Sequence, residues 1–181
     1  MNGIIIENIV ANAQISEDIN IQDLVEKIPE LIYNPDDFKG ATFKLDYPKT
    51  AVLILPSGKV ICTGATKMED IEQSIRRLTE KIANVGINVD TNPSIETQNI
   101  VASTDIKKEL DLSFISKNLL LKNVNYEPDQ FPGLIYNMDD IGVIVLVFSS
   151  GKIISTGAKS MEDASKAIEM MKEKLSSFGI L

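Results

Sequence analysis

The chain has 181 residues, 44% of them apolar, with one cysteine, no histidine and a formal net charge of −8. Without histidine it lacks the commonest general base and the commonest transition-metal ligand, and a single cysteine excludes an internal disulfide. The acidic balance argues on electrostatics alone against nucleic acid, whose phosphates call for clustered Lys and Arg.

In chain order, a β-rich run opens at residues 4–13. Ile21, Leu24, Val25 and Ile28 then recur at helical spacing until Pro29 stops the helix. Three short β-rich runs follow at 41–46, 50–55 and 59–63, with Ser57-Gly58-Lys59 as a tight turn between the last two. A long amphipathic helix carries Met68, Ile71, Ile75, Leu78, Ile82 and Val85 on one stripe. Thr66 with Glu69 is expected to cap its start, and Gly86 to stop it in the left-handed conformation.

The same succession then begins again. A β-rich run at 97–103 precedes Leu112, Ile115 and Leu119, which offer one helical face. Runs at 134–138, 142–148 and 152–156 precede a helix with Met161, Ala164, Ile168, Met171, Leu175 and Phe178 on its stripe. Ser160 with Asp163 caps it and Gly179 ends it. "LILPSGKVICTGATKMED" (53–70) and "LVFSSGKIISTGAKSMED" (146–163) agree at eleven of eighteen positions. A period near ninety is too long for a solenoid unit. The expectation is two copies of one small domain, 1–92 and 93–181.

"TAVLIL" (50–55) and "GVIVLVF" (142–148) are apolar at every position, so both faces of these strands are apolar. Helices on one side of a hairpin-built antiparallel sheet cover one face only. The other face therefore awaits a partner. Cys62 faces the helices by alternation, as a small core hydrophobe. The four tyrosines, Tyr33, Tyr47, Tyr126 and Tyr136, read as packing and turn residues. "LPSGKV" and "FSSGKI" lack the leading Gly of a phosphate-binding loop, because Leu53 and Leu146 stand there. Asp36 with Asp37, and Asp139 with Asp140, have no partner base, so no catalytic residue, metal or cofactor is assigned. No apolar run reaches 18 residues and no basic segment precedes the first one, so neither a membrane span nor a signal peptide is expected.

Several elements carry a resemblance. "ENIVA" and "QNIVAS", "YNPDDF" and "YEPDQFPGLIY", and "SGK" followed by "TGA" occur in order in both halves. As a doubled set they resemble the TATA-box-binding protein family in its short archaeal form, over essentially residues 4–180. The resemblance implies an α+β fold of two pseudo-symmetric α/β repeats forming one curved antiparallel sheet, a saddle with helices on the convex face. Members of this family are themselves the standing example of apolar wedges opening a minor groove. The implied function is a general transcription initiation factor that binds and bends A·T-rich promoter DNA and recruits transcription factor B and RNA polymerase. The implied setting is the cytoplasm of an archaeal-type cell, with the protein on its nucleoid.

Carried over residue by residue, the resemblance implies base contacts by Asn8, Val10, Thr63, Asn99, Val101 and Thr156. Leu53, Ile61, Leu146 and Ile154 share those strand faces by alternation. Phe38, Phe131 and Phe148 match three wedge phenylalanines, and Leu55 takes the place of the fourth. That smaller wedge should weaken its kink by something like ~1 kcal/mol of contact. Lys44, Ser57, Lys59, Ser150, Lys152 and Lys159 would meet phosphates. Glu127 and Asp129 match acidic positions where the family meets transcription factor B.

Departures thin the phosphate set. Thr66 replaces a family lysine, Lys44 and Asn137 replace arginines, Asp139 and Asp140 stand where basic residues are frequent, and Lys39 replaces a small residue or proline. Each missing cation lowers the salt slope by roughly one unit. The same departures suit an alternative, a divergent paralogue whose apolar face binds a protein or, in the free state, a second copy of itself.

Overall fold

The computed structural model describes residues 3–118 and 123–181. The chain packs as two units, Asn8–Gln98 and Asn99–Leu181, the second also taking the N-terminal segment up to Glu7. The first contains β1 (Ile5–Gln14) from Asn8 onward, α1 (Ile21–Lys27), β2 (Ile32–Tyr33), β3 (Ala41–Asp46), β4 (Lys49–Ile54), β5 (Lys59–Ala65) and α2 (Met68–Asn84). Its strands run in the order β2-β3-β4-β5-β1, each pair antiparallel. The second unit repeats the plan with β6 (Ile95–Asp105) from Asn99 onward, α3 (Leu112–Asn118), β7 (Val124–Asn125), β8 (Gly133–Met138), β9 (Val143–Phe148), β10 (Lys152–Ala158) and α4 (Met161–Ser177). Its order is β6-β10-β9-β8-β7, again antiparallel throughout. Each unit is an α+β arrangement.

The pleat sorts residues by face. In β5, Val60 and Cys62 are fully buried while Ile61 and Thr63 are half-buried; β4 alternates likewise, with Val52 and Ile54 inside. The buried set packs under α2, whose Ile71, Ile75, Leu78 and Ile82 form one apolar stripe. Each such side chain contributes about 1.5–3 kcal/mol on burial. In the second unit Val143, Val145, Val147 and Ile153 meet Ala164, Ile168, Met171 and Leu175 of α4 in the same way.

Local chemistry starts and stops the elements. Asn20 caps α1 by accepting from Asp23 N–H at 3.0 Å, and Asp23 pairs with Lys27 one turn later at 2.9 Å. Ser160 caps α4 by accepting from Asp163 N–H at 3.0 Å. Gly86 and Gly179 adopt φ of +83° and +68° beyond the long helices. The β4–β5 turn closes with Gly58 N–H on Leu55 C=O at 3.0 Å and Leu55 N–H on Lys59 C=O at 2.9 Å.

The structure corrects some expectations. Thr66 does not cap α2: the N-cap is Lys67, and no side chain bonds the first turn. The capping spacing fails because the helix starts one residue later than the Thr-x-x-Glu pattern requires. The opening strands run past the ends that the apolar pattern suggested, since ladder pairing continues through the polar Gln14 and Asp105. Two-residue edge strands β2 and β7 were not foreseen, being too short to show alternation. Leu119, expected on the α3 face, lies outside the described residues.

Candidate nucleic-acid interface

Opposite the helices, each sheet presents a second face. In the first unit register aligns Thr42, Leu53, Ile61 and Asn12 across four strands, and Lys44, Ala51 and Thr63 across three. In the second unit the matching rows are Ile135, Leu146, Ile154 and Ser103, then Asn137, Ile144 and Thr156. Leu53, Ile61, Thr63, Leu146, Ile154 and Thr156 are all half-buried, as are Val10 and Val101 on the neighbouring strands. Their alternation partners are buried under the helices, so Val10, Leu53, Ile61, Val101, Leu146 and Ile154 give these rows a partly apolar surface that the helices leave uncovered.

Asparagine orientation is set by the backbone. Gly64 N–H donates to Asn8 Oδ1 at 2.8 Å, and Asn8 Nδ2 donates to Thr63 Oγ1 at 3.2 Å. Gly157 N–H donates to Asn99 Oδ1 at 2.6 Å, with Asn99 Nδ2 on Thr156 Oγ1 at 3.3 Å. The glycines lie at irregularities in the ladders, with φ of +98° and +92° that place their N–H groups toward the asparagines. With its oxygen engaged, each amide keeps an N–H donor for an external acceptor. The threonine hydroxyl lies beside it in both units.

Two aromatic rings sit together at one end of the second unit. Phe131 and Phe148 meet edge to face, 5.9 Å between centroids. Gly133 makes the room: a Cβ there would stand 2.8 Å from Phe131 Cε1 and 3.1 Å from Phe148 Cε1. In the first unit Gly40 does the same for Phe38, at 2.5 Å from Phe38 Cε1, and a Cβ there would also collide with Ile54 C=O. Phe38, Leu55, Phe131 and Phe148 are each half-buried. Matching turns set the two loops: Phe38 N–H on Asn34 C=O at 3.0 Å, and Phe131 N–H on Glu127 C=O at 2.9 Å.

Of the cations, Lys44, Lys152 and Lys159 are exposed and Lys59 is half-buried; Ser57 and Ser150 flank the turns and are exposed. Lys152 is engaged, its Nζ lying 3.7 Å from Glu7 Oε1. Glu127 and Asp129 are exposed beside Phe131. Asp139 accepts from Asn123 Nδ2 at 2.6 Å. Cys62 is fully buried, and burial pushes its thiol up to about 12. Among the described residues no three His, Cys, Asp or Glu side chains form a metal-binding group, and no helix is long and apolar enough to cross a membrane.

Sequence reasoning missed part of these faces. Ala51 and Ile144 were readable by counting in twos from Leu53 and Leu146, whereas Thr42 and Ile135 join these rows only through cross-strand register. Gly40 and Gly133 hold equivalent positions in the two copies, a signal left unused. Nothing in the sequence pointed to Glu7 beside Lys152.

Known proteins share this doubled fold. The family model for transcription factor TFIID (or TATA-binding protein, TBP) matches residues 3–85 and again 94–178. The TATA-box-binding protein of Archaeoglobus fulgidus is 42% identical over 176 residues, 97% of this chain and 96% of that protein. TATA-box-binding protein D of Halobacterium salinarum is 41% identical, covering 97% and 95%. The solved structure of Methanococcus jannaschii TBP superposes with a TM-score of 0.86 at 39% identity, covering 97% of this chain and 99% of that one. The chain belongs to the TATA-binding protein family.

Proposed function

We propose that this TBP-type transcription factor binds A·T-rich promoter DNA through the minor groove and bends it. The observation that carries the reading is the doubled asparagine clamp, in which a glycine N–H fixes each amide and leaves a donor on the open face. The minor groove offers adenine N3 and thymine O2 as acceptors for A·T and T·A alike, whereas G·C interposes the guanine amino group. An Asn donor flanked by Val10, Leu53 and Ile61, or by Val101, Leu146 and Ile154, suits that surface.

Phe38, Phe131, Phe148 and Leu55 act as wedges between base steps, and Lys44, Lys59, Lys152 and Lys159 with Ser57 and Ser150 hold the phosphates. Contact between apolar rows and the opened groove supplies affinity without a large positive charge, which reconciles DNA binding with a net charge of −8. Glu127 and Asp129 present acids to transcription factor B, through which RNA polymerase is recruited. The protein carries out no catalytic step and works where the chromosome is.

The test is fluorescence anisotropy on a TATA-containing duplex and a scrambled G·C-rich duplex over a salt series. Preference for the TATA duplex with a shallow salt slope is expected. Equal binding of both duplexes at every salt would sink the reading. The apolar rows would then be docking faces for a protein or a second copy, an alternative favoured by the ion-paired state of Lys152.

A further inference from the structure

Within the second unit an acid is held against one of the phosphate lysines. Ser103 Oγ donates to Glu7 Oε1 at 2.5 Å, and the same oxygen lies 3.7 Å from Lys152 Nζ. Ser103 is only 4% exposed and ends the row formed with Ile154, Leu146 and Ile135. The carboxylate is therefore anchored beside that row, while Lys152 and Glu7 keep 49% and 43% of their side-chain exposure.

The matching lysine of the first unit is placed otherwise. Lys59 pairs in register with the neutral Gln14, whereas Lys152 pairs with Asp105. Lys59 lines a cavity of about 290 Å³ with Asn12, Gln14 and Glu96, yet among the described residues it forms no ion pair. Asp105 is turned to its own backbone, accepting Lys107 N–H at 2.7 Å, which leaves Glu7 as the acid on Lys152.

We infer that Glu7 stands in for a DNA phosphate on Lys152, so this lysine reaches the backbone only by giving up Glu7. The inference rests on the minor-groove reading above. Glu7 is then an affinity-setting residue that contacts no base. Because Lys152 comes to the backbone with the Glu7 carboxylate beside it, the pair brings no net charge and its phosphate contact adds little to counterion release. The two units thereby hold the DNA backbone with unequal strength.

The test compares wild type, E7Q, K152Q and the double variant by anisotropy on the two duplexes across a KCl series. E7Q keeps a side-chain oxygen to accept from Ser103, so the fold is retained. E7Q should tighten TATA binding roughly two- to five-fold, the scale of an exposed ion pair. It should also steepen the salt slope by about one unit. In the K152Q background the E7Q gain should vanish. The same gain in both backgrounds would overturn the inference, placing Glu7 in direct repulsion of DNA. A wild type that reads TATA while E7Q changes neither affinity nor slope also overturns it and leaves the minor-groove reading intact. A wild type with no TATA preference removes both.

Discussion

Gly64 N–H donates to Asn8 Oδ1 at 2.8 Å across 56 residues of chain, and this one bond decides which end of the amide faces outward. The same bond recurs between Gly157 and Asn99 at 2.6 Å. Asn8→Asp separates holding from reading. Asp still accepts from Gly64 N–H, so thermal stability should hold. It presents no donor to the groove, and TATA affinity should fall by about 1–3 kcal/mol or more, the value of one good base contact. Circular dichroism melting with anisotropy checks both. Unchanged affinity would remove Asn8 from the interface.

The wedge ends differ in tolerance. A Cβ at Gly40 collides with the backbone oxygen of Ile54, while at Gly133 it meets only ring edges at 2.8 Å and beyond. Gly40→Ala should destabilise by about 1–3 kcal/mol, since backbone must move. Gly133→Ala should cost less stability but shift the Phe131–Phe148 pair and weaken bending. Urea denaturation and end-labelled DNA energy transfer distinguish these. Equal melting of the two variants would contradict the clearance argument.

Leu55 leaves the first unit without the second ring that Phe148 supplies beside Phe131. Leu55→Phe should tighten DNA binding by about 0.5–1.5 kcal/mol, the worth of an aromatic pair, and increase the bend. An unchanged affinity and bend angle would count against the wedge assignment.

The long helices start unequally. Ser160 caps α4 through Asp163 N–H, but Lys67 offers α2 no acceptor. Ser160→Ala should lower stability by about 0.5–2 kcal/mol, whereas Lys67→Ser should raise it by up to ~1 kcal/mol. Denaturation midpoints test both signs, and a neutral Lys67→Ser would show that water already serves the first turn of α2.

Cys62 links stability to alkaline pH. Its thiol is raised from 9.0 to about 12 by burial, against a smaller opposing effect of a bond with Ser74. The folded state therefore holds the proton more tightly. Its contribution is fully present below about 9 and is lost as pH climbs from there toward about 12, by up to ~1.4 kcal/mol per pH unit. The difference between wild type and Cys62→Ala in urea isolates this from lysine titration. A pH-independent difference would contradict it.

Local pattern was enough to reveal the two copies, the apolar stripes of α2 and α4, and the strand faces carrying Leu53, Ile61, Leu146 and Ile154. These follow from periods of two and of three to four residues, which neighbouring side chains impose along the chain. How Asn8 and Asn99 are turned became visible only in three dimensions, because the N–H groups that hold them come from strands 56 and 58 residues away. The same is true of Lys67 rather than Thr66 starting α2, and of Glu7 meeting Ser103 across 96 residues and thereby Lys152. Contacts between segments so distant depend on strand order and register, which no local pattern encodes.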